Sequence, residues 1–253
     1  MPTAAEIDIR SNIQHHTRVQ RPRLIASAKM GTRLAALLRD QIIAGELKAG
    51  TPLRLHELAA KFGVSTTPVR EALLTLEREG LANGKPHYGL RIAELTRTDI
   101  EDVYGLHGYM VRVVTARAAQ ALSAAHLDEL EDINREIAAV TERGDLAGAA
   151  ELNHDFHRII NRAGSSRMLR RFLSETTPYV SRQTDPLVPG WSEQPLAEHR
   201  PILDALRARD GDRAAELMER HIQHSGELVV AFAESLARQS IEPPSAGGEA
   251  SAR

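Results

Sequence analysis

The segment between residues 30 and 96 constrains this chain more than any other. It opens with an apolar helical stripe, Leu34, Leu37, Leu38 and Ile42, followed by Gly45 and then Gly50-Thr51-Pro52. A short helix-forming run, LHELAAKF from Leu55, comes next, and Gly63-Val64-Ser65 separates it from TTPVREALLTLERE at 66–79. Glycine suits that break because it takes the left-handed conformation at a helix end without a Cβ clash. Pro68 suits the first turn of the following helix, where an amide hydrogen has no partner to lose. With Val69, Leu73 and Leu76 turned inward, Thr66, Thr67 and Arg70 face out at its start. Residues 82–93 (ANGKPHYGLRIA) read as a two-stranded ribbon with Gly84 and Gly89 at turn positions. Two helices joined by a tight turn, the second opening with hydroxyls and an arginine, form the arrangement that enters a DNA major groove. The expected fold class is therefore mainly α: an N-terminal winged helix-turn-helix domain and a C-terminal all-α antiparallel bundle.

Charge divides the chain at the same place. Residues 1–95 hold fourteen Lys and Arg against nine Asp and Glu, and residues 96–253 hold eighteen against twenty-five. A head of +5 on a body of −7 fits a phosphate-binding module attached to something else. The absence of cysteine excludes disulfides and thiolate metal sites. No apolar run reaches the length of a membrane span, and no apolar core of a signal peptide opens the chain, so a cytoplasmic protein with no membrane partner is expected.

Four segments follow. Residues 1–28 are polar and aperiodic and read as an unstructured tail; 29–96 form the DNA-binding domain; 97–239 form the helical body; 240–253 (SIEPPSAGGEASAR) read as a second unstructured tail. Six body helices are expected, at 98–122, 126–143, 146–163, 167–183, 196–209 and 213–239. Thr98 with Glu101 matches a capping box, Asp145 and Asp212 match N-caps, and Pro178 should kink or shorten the fourth helix.

The body carries inward histidines. Asn153 and His157 are one turn apart within the apolar stripe of Leu146, Ala149, Ala150, Phe156 and Ile160. His199 falls on the stripe of Leu196, Ile202, Leu203 and Leu206, and His221 on that of Leu217, Met218 and Ile222. A single inward histidine is ordinary core. Three from three helices, with an amide oxygen beside one, also suit a divalent transition metal: zinc first, nickel or manganese as alternatives. His107 lies on a further inward stripe with Ile100, Val103, Tyr104, Val111 and Val114.

Residues 38–47 (LRDQIIAGEL), Gly50-Thr51-Pro52-Leu53, Phe62-Gly63-Val64-Ser65, 67–73 (TPVREAL) and 76–81 (LEREGL) resemble the winged-helix domain of GntR-family transcription regulators. Asn153-x-x-Phe156-His157, Glu198-His199-Arg200 and Gly211-Asp212 through His221 resemble the FCD ligand-binding domain of the FadR branch, in its shorter VanR-like form. The resemblance implies a metal at Asn153, His157, His199 and His221, a position where relatives often carry Asp in place of Asn153. It also implies a small carboxylate effector, a palindromic DNA operator and a homodimer. Family members often place an arginine near His107 with a glutamate one turn on; here His107 and Val111 stand there, and Tyr109, Arg112, Tyr179 and Arg182 are the candidate replacements in an effector site.

On DNA, Arg70 is the candidate for base-edge contact, because a guanidinium reads guanine in a bidentate manner. Thr66 and Thr67 suit phosphates or thymine methyls, Lys85, His87 and Arg91 the wing, and Arg39 or Arg54 the DNA backbone; the resemblance adds His56, at a position where relatives often place an arginine against DNA. The reading is a ligand-responsive transcription regulator, most simply a repressor, and not an enzyme. Its rivals are a metalloenzyme on the helical body, which lacks a His-Glu-x-x-His motif, and an architectural DNA binder with no ligand.

Overall fold

The computed structural model describes residues 21–85, 89–180 and 187–241, with residues 21–28, 85, 237 and 239–241 described by their backbone alone. These residues fall into two compact units, one built from residues up to 39 and from 49 to 93, the other from 40 to 48 and from 94 onward.

Helix α1 (Arg21–Ile43), in the first unit as far as residue 39, precedes α2 (Leu55–Phe62) and α3 (Thr66–Arg78) of that unit, and strands β1 (Ala82–Lys85) and β2 (Gly89–Ile92) pair antiparallel, with Ala82 opposite Ile92 and Lys85 opposite Gly89. Helix α1 already runs through residues 21–28, which the sequence assigned to a tail; residues 1–20 lie outside the described residues. Gly63 ends α2 at φ 63°, and the Val64 amide returns to the Ala59 carbonyl at 3.1 Å, which turns the chain sharply into α3. Helix α3 buries Val69, Ala72, Leu73 and Leu76, while Leu34, Ala35, Leu38, Leu53, Leu81 and Ile92 are buried alongside in the same unit. Leu37, expected on the inward stripe of α1, is exposed instead. Hydrogen bonds from Ile92 to Thr51 and from Leu53 to Leu90 lay the 51–53 segment against β2.

The second unit holds six α-helices among the described residues: α4 (Arg97–Ala121), α5 (Ala124–Glu142), α6 (Leu146–Gly164), α7 (Arg167–Thr176), α8 (Glu193–Arg207) and α9 (Gly211–Ile241). Helix α4 packs along α9 and against α6, and α5 lies against α6 and α8. The core is assembled from Val111, Val114 and Ala118 of α4, Phe156 and Ile160 of α6, Leu203 and Leu206 of α8, and Met218 and Ile222 of α9. No described helix is long and apolar enough to cross a membrane.

Four body-helix starts differ from expectation, and the largest offset is at α8, which begins at Glu193 and not at 196. Helix α4 is capped by Thr96, whose side chain and the Asp99 carboxylate complete the capping box, in place of Thr98 and Glu101. Both pairs fit the same pattern, and the extended backbone of Thr96 decides between them. Helix α5 starts two residues before His126, because the Ser123 hydroxyl accepts from the His126 amide. At α9 the cap is Asp210, which accepts from the Arg213 amide at 3.0 Å, and Asp212 lies inside the first turn. Asp145 caps α6 as expected, and α7 stops at Thr176, with Pro178 in a 3-10 turn over Thr177–Tyr179. Helix α9 extends to Ile241; residues 242–253, the rest of the expected C-terminal tail, lie outside the described residues.

Glycine sets the spacing of the body. A Cβ on Gly164 would overlap the Val114 carbonyl oxygen, and one on Gly226 would lie 2.8 Å from Cβ of Tyr104. These two positions let α6 and α9 approach the backbone of α4. Gly164→Ala is expected to destabilise the protein by about 1–3 kcal/mol through forced separation of α4 and α6. Gly105→Ala, a site on α4 with open space around it, is expected to be neutral or to stabilise by up to about 1 kcal/mol. Denaturant titration of both variants checks the contrast; equal effects would remove glycine spacing as the cause.

Candidate functional site

On the head, Thr67, Arg70, Leu74 and Arg78 are all exposed and recur at helical spacing along one face of α3. Thr66 is half-buried beside them, and Arg70 makes no ion pair among the described residues. Leu74 is 59% exposed, an apolar side chain on an otherwise polar face. The sequence placed no weight on it, although its spacing of four from Arg70 was available. Arg54 and His56 are exposed near the start of α2, Arg54 in an open pair with Glu57. Arg91 is half-buried and donates to the Gly50 carbonyl at 2.7 Å, tying the wing to the turn before α2. Arg39 is corrected. Its guanidinium makes two bonds to Glu79, at 2.6 and 3.0 Å, with only 11% of its side chain accessible, so the carboxylate and not a phosphate holds it. His87 lies outside the described residues, and nothing is described of the Lys85 side chain.

In the body, α6, α8 and α9 bring His157, His199 and His221 together, with a ligating atom of each within 4.8 Å of the others. His157 and His221 face each other through Nε2 at 3.1 Å. His199 is fully buried, stacked on Phe156 at 3.9 Å between ring centroids, and neither of its ring nitrogens has a hydrogen-bond partner. Asn153 is buried one turn before His157, and its Oδ1 likewise has no partner. Burial and, secondarily, the neighbouring His221 hold His157 and His199 well below the ordinary imidazole range, so both are neutral donors of lone pairs. Orphaned buried polar atoms are costly in a core. His157 and His199, with His221 facing them and an amide oxygen beside them, fit a divalent transition metal, since one ion could take a nitrogen from each ring and the Asn153 oxygen.

Glu198 supplies what the sequence reading missed. Its Oε2 accepts from Nδ1 of His221 at 2.7 Å and its Oε1 from Nδ1 of His224 at 2.7 Å. Burial pushes the Glu198 carboxyl up, but the hydrogen bonds from His221 and His224 outweigh it and hold the group below its usual range. Committing Nδ1–H of His221 to a carboxylate leaves Nε2 as the free lone pair toward the cluster, the arrangement that orients metal-binding histidines. Gln194, buried, donates both to Glu198 at 3.0 Å and to the His221 carbonyl at 2.6 Å, and so locks the pair.

A cavity of about 270 Å³ opens beside the cluster, lined by Asn153, His157 and His221 and also by His107, His154 and Trp191. His107 is buried, and its Nδ1 meets the Thr176 hydroxyl at 2.8 Å. That hydroxyl donates to the Leu173 carbonyl, so the imidazole is the donor in this pair. The other proposed effector residues are corrected. Tyr109 is exposed at the surface, Arg112 is paired with Glu219 at 2.7 Å, and Tyr179 is half-buried in the 3-10 turn; none lines the cavity. Arg112 and Tyr109 lie off the inward stripe of α4, which is why they cannot replace His107. Arg182 lies outside the described residues.

A winged helix that presents an arginine-bearing face, in one chain with a helical body that holds a histidine-lined cavity, defines a two-domain transcription regulator. The chain belongs to the gntR family of bacterial regulatory proteins: that family's model matches residues 31–92, and the FCD domain model matches residues 104–224. It is 31% identical over 199 residues to a probable D-xylose utilization operon transcriptional repressor of Paenarthrobacter nicotinovorans, covering 76% of this chain and 86% of that protein. It is 27% identical over 197 residues to the HTH-type transcriptional repressor RspR of Escherichia coli K12, with the same coverage. Among solved structures, E. coli McbR/YncC shares the fold with a TM-score of 0.60 at 20% identity, over 83% of this chain and 98% of that one. A GntR regulator from Rhodococcus sp. RHA1 shares it with a TM-score of 0.57 at 22% identity, over 80% and 98%. The family and these relatives are transcription regulators, not enzymes, which sets aside the metalloenzyme reading.

Burial holds His107 down to about 4. A depressed imidazole favours the folded state above its unfolded value near 6.5 and loses that contribution as pH falls toward 4. Wild-type stability should therefore fall more steeply between pH 6.5 and 4 than that of His107→Gln, by up to roughly 3 kcal/mol. Chemical denaturation across that range reads the difference, and parallel curves would place His107 in a wetter setting.

Proposed function

We propose that the chain is a repressor that binds a two-fold operator as a homodimer and is controlled by a small acidic metabolite bound at a metal centre in the body. Each α3 enters a major groove, with Arg70 on a base edge, Thr66 and Thr67 on phosphates or thymine methyls, and Leu74 against a thymine methyl. Arg54 and His56, with Lys85, His87 and Arg91 of the wing, serve the flanking backbone. His157, His199, His221 and Asn153 hold one divalent ion, zinc first and nickel or manganese as alternatives, and Glu198 orients His221. When bound, the ion offers a Lewis-acid position for an effector carboxylate. His107, at the cavity wall, donates to Thr176 and helps to shape the site. Effector changes DNA affinity only by favouring one arrangement of the dimer over another. The observation that carries this reading is His199: a fully buried imidazole with two unpartnered nitrogens, facing two more imidazoles, needs a shared partner.

Arg70→Ala should weaken operator binding by about 1–3 kcal/mol and flatten discrimination among operator sequences, with the melting temperature unchanged. Unaltered sequence preference in a fluorescence-anisotropy titration would move base reading elsewhere on α3.

The metal centre is tested by elemental analysis and thermal melts with and without chelator. Wild type grown with metal should hold about one ion per chain and lose stability on chelation, as expected for a ligand bound to the folded state only. His199→Ala should lose both the ion and the chelator effect, while keeping its affinity for operator DNA. Protein free of metal, with chelator-insensitive melting, would make the three imidazoles packing residues.

A further inference from the structure

The body carries an excess of acidic residues, yet its cavity is lined by no Asp or Glu among the described residues. Three arginines line it instead: Arg158, Arg162 and Arg170. Arg158 is paired with Asp155 at 2.9 Å. Arg162 and Arg170 have no carboxylate partner among the described residues, and Ser165, between them in sequence, has a buried Oγ with no hydrogen-bond partner. Leu173, Ile222 and Trp191 give the cavity apolar wall, and Leu173 and Trp191 are themselves buried.

We infer that Arg162 and Arg170 form a second anion anchor, and that the cavity takes a small molecule with two acidic groups joined by a short, largely apolar chain. The inference deepens the effector reading above and rests on it. One acid group meets the imidazole cluster and its ion; the second is held by the two guanidiniums and the Ser165 hydroxyl; the methylenes between lie against Leu173, Ile222 and Trp191. Arginine is suited to the second position because its fork meets an acid group with two parallel hydrogen bonds. The spacing limits the length. Arg162 stands five residues beyond His157 on α6, roughly 7.5 Å of helix rise, and helical side chains slant back toward the N-terminus. A separation of that order suits a diacid of about four to six carbons.

Isothermal titration of the full-length zinc-loaded protein tests this with malonate, succinate, glutarate and adipate against butyrate and valerate, and with 3-phosphonopropionate to tell a phosphate-like second group from a carboxylate. A four- to six-carbon diacid, or the phosphonate of matching span, should bind about ten- to a hundredfold more tightly than the monoacid of equal length. Arg162→Gln with Arg170→Gln should abolish that advantage and leave zinc content, melting temperature and monoacid affinity unchanged. Equal affinity for diacids and monoacids, or a diacid preference that survives the double variant, overturns the second anchor and leaves the metal-centred effector site standing. Failure of every acid to bind zinc-loaded protein overturns both.

Discussion

Close approach of three helix backbones organises the body. Gly164 lets α6 lie against the Val114 carbonyl of α4, and Gly226 lets α9 lie against Tyr104 of the same helix. With α4 gripped from two sides, His157 on α6 and His221 on α9 are brought to 3.1 Å, and His107 on α4 faces the same cavity. The imidazole cluster is thus a product of backbone spacing that larger side chains would forbid. Its polarity is bearable in an apolar core because burial keeps His157 and His199 neutral and His221 is locked to a carboxylate.

The two units solve different problems with the same elements. In the head, short helices and a ribbon bury just enough leucine and valine to present α3 rigidly, and the Arg39–Glu79 pair is drawn into that task. A half-buried, two-pronged ion pair is worth more as a geometric constraint than as a source of stability. In the body, long helices bury an extended core and can afford polar groups inside it. DNA reading therefore sits on an outer surface, and the candidate sensing chemistry sits within a bundle.

Much of this was legible in the chain. The apolar periodicity of α6, α8 and α9 placed Asn153, His157, His199 and His221 on inward faces, and the Gly63 turn located α3. What escaped is what depends on partners distant in sequence or on competing local signals. Glu198 stands one position off the stripe of α8 and acts on α9, so no periodicity marks it. Arg39 meets a carboxylate forty positions away, and a basic residue near a DNA-binding motif reads as a phosphate contact until that partner is known. Thr96 and Thr98 carry overlapping capping patterns, and only the backbone conformation separates them. Tyr109 and Arg112 were drawn in by nearness in sequence to His107, although neighbours in sequence on a helix point in different directions.

Helix α9 is continuous over 31 residues, roughly 46 Å, and His221 lies near its first third. For a straight helix, a change of angle at one point displaces the rest in proportion to the distance from that point. A tilt of about 5° about His221 moves the helix end near Ile241, roughly 30 Å away, by roughly 2.6 Å. Helix length alone thus enlarges a small change of angle at His221, a change that the packing of α4 along α9 opposes.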